Sequence, residues 1–83
     1  GTDRQVRGAV MAVLRAADQP VPESWLTRDR QVTLPRGASA DLARPLEALL
    51  TLESPVEQRQ RAVDGLVSDG LAHRRGDRIA LPG

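Results

Sequence analysis

The sequence predicts a small domain of the α+β class, mainly α-helical and closed by a β-hairpin. Three stretches support this prediction: an apolar stripe with helical spacing after Thr2, a helix start at residues 54–57, and two short strand-like stretches around Gly76 and Asp77. The chain has 83 residues and begins with Gly1 rather than methionine. We therefore expect residues 1–83 to form a single domain that is a fragment of a longer protein.

The first predicted helix covers residues 3–17. Thr2 and Gln5 have the spacing of a capping box, in which each side chain hydrogen-bonds a backbone N–H that the helix leaves free. Five aliphatic residues then recur at helical spacing on one face, and Pro20 and Pro22 stop the helix because proline cannot continue its hydrogen bonding. The five residues are Val6, Val10, Val13, Leu14 and Ala17.

The segment between residues 22 and 37 has a mixed pattern. Residues 31–34 suit a short strand that is closed by a turn at residues 35–37, but a loop anchored by Trp25 fits equally well. Trp25 is the only aromatic residue of the chain. We expect it to pack against the core rather than to contact a ligand.

The second predicted helix carries four leucines at helical spacing, with Pro45 among them. Because proline lacks an N–H and clashes with the preceding turn, we expect this helix to start close to Pro45 and to end near Leu52. A separate turn after Ser39, or a kinked helix, also accommodates the pattern. The leucines are Leu42, Leu46, Leu49 and Leu50.

The third predicted helix starts at Pro55. Ser54 is predicted as its N-cap, with proline at the first helical position and Glu57 at the third. The helix is expected to run to Gly70, which would take a left-handed conformation at the C-terminal end while Leu71 supplies the accompanying apolar contact.

Residues 71–81 predict a hairpin with two possible registers. A two-residue turn at Gly76 and Asp77 pairs Arg74 with Ile79, whereas a three-residue loop at 75–77 pairs His73 with Ile79. We favour the three-residue loop because it places apolar residues on one face. It also sets Arg74 opposite Arg78, a like-charge pair that costs roughly a few tenths of a kcal/mol unless an anion lies there.

Three helices followed by a C-terminal hairpin are typical of a winged helix-turn-helix domain, in which the hairpin is called the wing. When such a domain binds DNA, its third helix enters the major groove and its wing lies along the phosphates. Arginine suits these contacts because its planar guanidinium forms two parallel hydrogen bonds to phosphate or to guanine. The candidate DNA-binding residues are Arg59, Arg61, Arg74, Arg75 and Arg78.

The charge distribution also fits an alternative in which these arginines form ordinary surface ion pairs instead of binding DNA. The 12 basic residues face 11 acidic ones, so that the net charge is only +1. Glu57, Asp64 and Asp69 share the third predicted helix and are able to pair with its arginines, and Asp77 lies at the tip of the wing. We therefore expect phosphate contacts from the wing and disfavour sequence reading by the helix.

No feature of the sequence predicts chemistry within the chain. There is no cysteine, and the single histidine, His73, has no second ligand nearby, which makes a packed or half-exposed structural role the better interpretation. No serine has a histidine placed to activate it. We therefore expect neither catalytic residues nor a bound metal here, and no apolar run predicts a membrane span.

Both ends of the chain resemble one family of repair enzymes. Residues 1–8 (GTDRQVRG) and 13–22 (VLRAADQPVP) are similar to the segment after the iron–sulfur loop in actinobacterial MutY-type adenine DNA glycosylases. Residues 58–71 (QRQRAVDGLVSDGL) and 79–83 (IALPG) are similar to the end of the same proteins. The resemblance implies the C-terminal winged-helix domain of a base-excision repair enzyme that hydrolyses the N-glycosyl bond of adenine opposite 8-oxoguanine.

The resemblance also implies what the parent protein holds elsewhere. A helix-hairpin-helix core would carry the catalytic acid and a 4Fe–4S cluster, and none of those residues lies in this chain. The expected partners are double-stranded DNA and the catalytic core of the same chain, in the cytoplasm. The leading hypothesis is an accessory domain that contacts the DNA backbone or packs on the core. The alternatives are the DNA-binding domain of a transcription regulator and a winged helix used only for protein contacts.

Overall fold

The computed structural model describes residues 2–27, 40–52 and 54–82. Most of these residues are helical, and a small three-stranded antiparallel sheet accompanies the helices. The predicted α+β class is therefore confirmed. The elements are α1 (Asp3–Ala16), β1 (Val21–Pro22), α2 (Glu23–Thr27), α3 (Ala40–Thr51), α4 (Val56–Ser68), β2 (His73–Arg75) and β3 (Arg78–Ala80).

Helix α1 has the predicted N-terminal cap. The Gln5 N–H donates to Thr2 Oγ1 at 3.2 Å, and the Thr2 N–H donates to Gln5 Oε1 at 2.9 Å, which completes the capping box. The helix ends one residue earlier than predicted, because Ala17 already has extended backbone angles. The predicted apolar stripe is buried at Val6, Val10, Val13 and Leu14.

Strand β1 and the short helix α2 follow α1 directly, and neither was predicted. Val21 pairs with Ile79 of β3 and is buried, while Pro22 is tolerated because β1 is an edge strand. The Glu23 N–H then donates to the Asp77 carbonyl at 2.7 Å, which ties the start of α2 to the turn between β2 and β3. The strand predicted at residues 31–34 and its turn lie outside the described residues.

Helix α3 begins at Ala40, so the predicted start close to Pro45 is wrong. Pro45 lies inside the helix, and the alternative of a helix that includes the proline is the correct one. Proline inside a helix costs about 3 kcal/mol. Continuing the helix places Leu42 one turn before Leu46 on the same buried face, and burying a leucine contributes about 1.5–3 kcal/mol, which offsets much of that cost.

The start of helix α4 corrects the predicted N-cap. Pro55 occupies the cap position with extended backbone angles and makes no side-chain cap hydrogen bond, and the helix begins at Val56. The hydroxyl of Ser54 is used differently, because its Oγ accepts a hydrogen bond from Arg59 Nε at 2.9 Å. The local pattern therefore located the helix start to within one residue but assigned the serine the wrong partner.

The end of helix α4 has the predicted geometry. Gly70 has a φ of 78°, in the left-handed region that favours glycine. The Leu71 N–H donates to the Leu66 carbonyl at 2.9 Å and the Gly70 N–H to the Val67 carbonyl at 3.1 Å, which are the two bonds of a Schellman motif. Leu71 remains 47% exposed, so its apolar contact is only partial.

The sheet has the order β1-β3-β2, and its register overturns the favoured hairpin prediction. Arg74 pairs with Ile79, and Arg75 pairs with Arg78. The turn therefore consists of Gly76 and Asp77, as in the two-residue alternative, and Gly76 takes a φ of 59° that suits such a turn. His73 lies opposite Ala80 and is exposed, so its predicted position beside Ile79 is also wrong.

The core is aliphatic and lies between the helices and one face of the sheet. Trp25 is half-buried and packs against this core, as predicted. Within the described residues, no helix combines the length and the apolar character needed to cross a membrane. The buried core residues are Val6, Val10, Val13, Leu14, Val21, Leu26, Leu42, Leu46, Leu49, Ala62, Val63, Leu66, Ala72 and Ile79.

Candidate nucleic-acid interface

Arg59 lies in the interior rather than on the surface. Only 1% of the residue is exposed. Its Nε donates to Ser54 Oγ and its Nη2 donates to the Leu52 carbonyl, both at 2.9 Å. The prediction that Arg59 is available to DNA is therefore wrong, because its guanidinium is used to join the end of α3 to the start of α4.

Arg74 is the centre of a charged cluster that fastens β2 to two helices. Its Nε and Nη2 donate to the two carboxylate oxygens of Glu23 at 2.9 and 3.1 Å, and Nη2 also donates to Asp64 Oδ1 at 2.6 Å. Gln60 Nε2 donates to the same two carboxylates at 2.7 and 3.1 Å. We call Glu23, Gln60, Asp64 and Arg74 the wing anchor. These contacts form in the observed register, in which the side chain of Arg74 projects from the same face of the sheet as that of Ile79.

The wing anchor perturbs the acid–base behaviour of its members. Hydrogen bonds from Arg74, and then from Gln60, lower the pKa of Glu23 despite its partial burial. The same two donors lower the pKa of Asp64, and the two carboxylates raise the pKa of Arg74. The positive charge of Arg74 is therefore balanced by two carboxylates of its own chain. Arg74 is less available to a phosphate than the sequence suggested.

These shifts predict a loss of stability in acid. A carboxyl group whose pKa is lower in the folded chain than in the unfolded chain contributes stability above its ordinary pKa, here 4.5 for Glu23 and 3.8 for Asp64, and loses it as the pH falls through the folded value. The urea midpoint of the native chain should therefore fall between about pH 7 and about pH 3 by more than that of Glu23→Gln/Asp64→Asn. Equal falls in the two proteins would contradict a stabilising anchor.

A matched control for that experiment is the variant Asp41→Asn/Glu47→Gln. It removes the same two charges from exposed positions of α3. Because these side chains make no ion pair within the described part of the chain, this variant should keep the acid sensitivity of the native protein.

Arg75 and Arg78 form a like-charge pair on the other face of the wing. They are direct partners across the β2–β3 ladder, so their side chains project from the same face with Cβ atoms about 5 Å apart. Arg78 Nη1 donates to the Pro20 carbonyl at 3.3 Å. Across residues 2–27, 40–52 and 54–82, neither guanidinium has a carboxylate within ion-pair distance. We call Arg75 and Arg78 the arginine pair.

Arg61 is exposed, as predicted, but it lies away from the wing. Its Nη2 is 3.9 Å from Asp3 Oδ1, and its side chain is 69% exposed. The exposed residues of α4 also include Glu57 and Asp64. The solvent side of α4 therefore carries charges of both signs, whereas the outer face of the wing carries the arginine pair.

Arg15 is a further candidate that the sequence did not single out. It lies in the last turn of α1, and it lines an open cleft together with Arg75 and Asp18. The lining of the cleft is both polar and apolar, and its apolar members include Leu14 and Leu81. Nothing in the local pattern marks Arg15, because its position beside the wing depends on segments about 60 residues apart in the chain.

The chain has no cysteine ligand for an iron–sulfur cluster, and the described residues contain no grouped set of metal ligands. It contains no cysteine, which is the usual ligand of such clusters. Among the residues that the structure describes, no three histidine, aspartate or glutamate side chains are grouped in a way that would hold a metal ion.

Comparison with curated proteins gives matches along the whole chain. The chain is 38% identical over 89 residues to the adenine DNA glycosylases of two Mycobacterium tuberculosis strains, CDC 1551 / Oshkosh and H37Rv. It is 36% identical over 84 residues to the adenine DNA glycosylase of Mycolicibacterium smegmatis. The chain is therefore similar, over its whole length, to one part of these adenine DNA glycosylases. The resemblance predicted from the two ends of the sequence is therefore confirmed.

The similarity to adenine DNA glycosylases covers only part of those proteins. All of this chain is aligned, but it spans about a fifth of the length of the curated relatives, 20% in M. tuberculosis and 21% in M. smegmatis. No protein-family model matches the chain, and no solved structure matches it.

Proposed function

We propose that the chain is an accessory winged-helix domain of an adenine DNA glycosylase and that it adds sequence-independent contacts to the DNA backbone. The observation that carries this proposal is the match of the whole chain to adenine DNA glycosylases at 36–38% identity. The parent enzyme would remove adenine opposite 8-oxoguanine in base-excision repair by hydrolysing the N-glycosyl bond. That reaction belongs to a catalytic core outside these 83 residues.

The order of the elements supports a winged helix. Helices α3 and α4 precede the β2–β3 hairpin, and β1 adds to the free edge of β3 to complete a three-stranded sheet. In this interpretation α4 corresponds to the third helix of the motif and the hairpin corresponds to the wing. Helix α2 is an addition between β1 and α3.

The arginine pair supports contact with the DNA backbone. Arg75 and Arg78 repel each other across the ladder, and a bound phosphate would remove that repulsion while accepting hydrogen bonds from both guanidiniums. The mixed charges on α4 provide no comparable attraction for the major groove. We therefore assign the domain a binding role. The parent's 4Fe–4S cluster would be ligated by cysteines outside this chain, which has none, and its catalytic acid would lie in the same core.

This proposal is tested by measuring how the 83-residue chain binds two duplexes of unrelated sequence as the salt concentration is varied. Each lost phosphate contact should reduce the magnitude of the slope of log K against log salt by about 0.9. Arg75→Gln/Arg78→Gln should therefore reduce it by about 1.8, with similar affinities for the two duplexes. In the parent enzyme, the same variant should weaken binding to a duplex with adenine opposite 8-oxoguanine but leave the single-turnover excision rate unchanged.

The control is Arg4→Gln/Arg44→Gln, which removes the same charge from exposed positions on α1 and α3. It should leave the salt slope close to the native value. If the native chain does not bind at low salt, or if both variants weaken binding equally, the backbone-contact role is wrong. A strong preference for one duplex would instead support the transcription-regulator alternative.

A further inference from the structure

We propose that Arg15 and the arginine pair together form one binding site for phosphodiester groups, located on the outer face of the wing beside the end of α1. This inference rests on the proposed DNA-binding function and specifies where the backbone lies. It places the DNA along the wing and the C-terminal end of α1, and not over the exposed face of α4.

The position of Arg15 is the first step in this inference. Arg15 and Arg75 line the same open cleft, between the last turn of α1 and the sheet. Arg78 lines the neighbouring cleft, on the other side of the turn at residues 17–20, and faces Arg75 across the ladder. The two clefts share residues 17–20, so the three arginines line adjoining parts of the surface.

The hydrogen-bonding state of the arginines is the second step. Arg7 is held by Asp69 at 2.7 Å, Arg74 is held by Glu23 and Asp64, and Arg59 is buried with protein partners. Arg15 and Arg75, in contrast, are exposed and have no carboxylate within ion-pair distance in the described ranges. Their N–H groups are thus open to an external acceptor, which for a planar guanidinium is best supplied by a phosphate.

The cleft also offers contacts suited to the sugar that accompanies each phosphate. The residues that line it with the two arginines include the partly exposed apolar side chains of Ala80 and Leu81. A nucleic-acid backbone alternates charged phosphates with largely apolar sugar faces, so this combination fits a phosphodiester chain better than it fits a free inorganic ion.

Asp18 opposes anion binding at this place. It is exposed and lines both the cleft of Arg15 and Arg75 and the cleft of Arg78. The C-terminal end of α1 adds a partial negative charge of its own. The site should therefore bind weakly, and removing the Asp18 charge should strengthen the binding of DNA.

The experiment compares single variants of the 83-residue chain in the same salt titration with a DNA duplex. Three phosphate contacts predict a loss of affinity of about 40-fold between about 50 and 200 mM salt, and two contacts predict a loss of about 12-fold. Arg15→Gln should therefore behave like Arg75→Gln. Arg4→Gln, which lies about 16 Å away on the same helix, should keep the native salt dependence. Asp18→Asn should bind more tightly than the native chain.

A chemical-shift map of the amide groups provides a second readout that does not depend on the variants. Added DNA should shift the amides of Arg15, Asp18 and Arg75, and should leave those of Glu57 and Arg61 on α4 largely unchanged. If Arg75→Gln weakens binding but Arg15→Gln matches Arg4→Gln, or if the α4 amides shift most, this site is wrong and the proposed function stands. If the native chain does not bind DNA, both are wrong.

Discussion

Replacing Arg59 with alanine is expected to lower the free energy of unfolding by about 3 kcal/mol, because it removes a buried side chain that is also a hydrogen-bond donor. The residue is 1% exposed. Its loss leaves a cavity and deprives the Leu52 carbonyl and the Ser54 hydroxyl of the donors that now lie at 2.9 Å. The connection between α3 and α4 would then lose the group that holds its two ends together.

Urea unfolding of the 83-residue chain measures this effect, and two further variants separate its causes. Arg59→Met keeps most of the volume but donates no hydrogen bonds, so it should cost less, about 1–2 kcal/mol. Arg61→Ala removes an exposed arginine two positions later on the same helix and should change stability by less than about 0.5 kcal/mol. If Arg59→Ala were no more destabilising than Arg61→Ala, the interior role of Arg59 would be refuted.

Replacing Ile79 alone with alanine is also expected to lower the free energy of unfolding by about 3 kcal/mol. Ile79 is fully buried on the central strand, where it pairs with Val21 on one side and Arg74 on the other. Truncating it removes the apolar contact between the sheet and the helices. It also weakens the strand that holds β1 and β2 together.

The dependence of this loss on side-chain volume is a test of the packing. Ile79→Val removes a single methylene group and should cost about 0.5–1.5 kcal/mol. Leu71→Ala lies next to the same hairpin but affects a side chain that is 47% exposed, so its cost should be under about 1 kcal/mol. If the two variants Ile79→Ala and Leu71→Ala have equal denaturant midpoints, Ile79 is not the core contact of the wing.

The number of arginines in the sequence overstates how much positive charge the candidate interface exposes. Five arginines were candidates from the sequence, but Arg59 is buried and Arg74 is held by two carboxylates. The partners of Arg74 include Glu23, which is 51 positions away in the chain, so no local pattern predicts the pair. Arg75 and Arg78 remain exposed. The like-charge contact predicted between Arg74 and Arg78 is wrong, because the observed register places Arg75 opposite Arg78 instead.

Two corrections to the fold have the same kind of cause. Local rules placed a helix start near Pro45 and favoured a three-residue turn in the hairpin. In the structure, burial of Leu42 on the face of α3 offsets much of the cost of an internal proline. The bonds of Arg74 to α2 and α4 form in the register in which Arg74 pairs with Ile79. In both places a contact with a distant element decides between local alternatives that differ by only a few kcal/mol.

The sequence by itself determined the features that depend on neighbours within one or two helical turns. The capping box of Thr2 and Gln5, the apolar stripe of α1 and the left-handed Gly70 all follow from short-range hydrogen bonding and periodicity. Only the tertiary structure decided that β1 pairs with β3, that Arg59 is buried and that Arg15 lies beside Arg75. These three features depend on tertiary packing. Burial of the common core brings β1 to β3 and Arg15 to Arg75, although these partners lie tens of residues apart in the sequence.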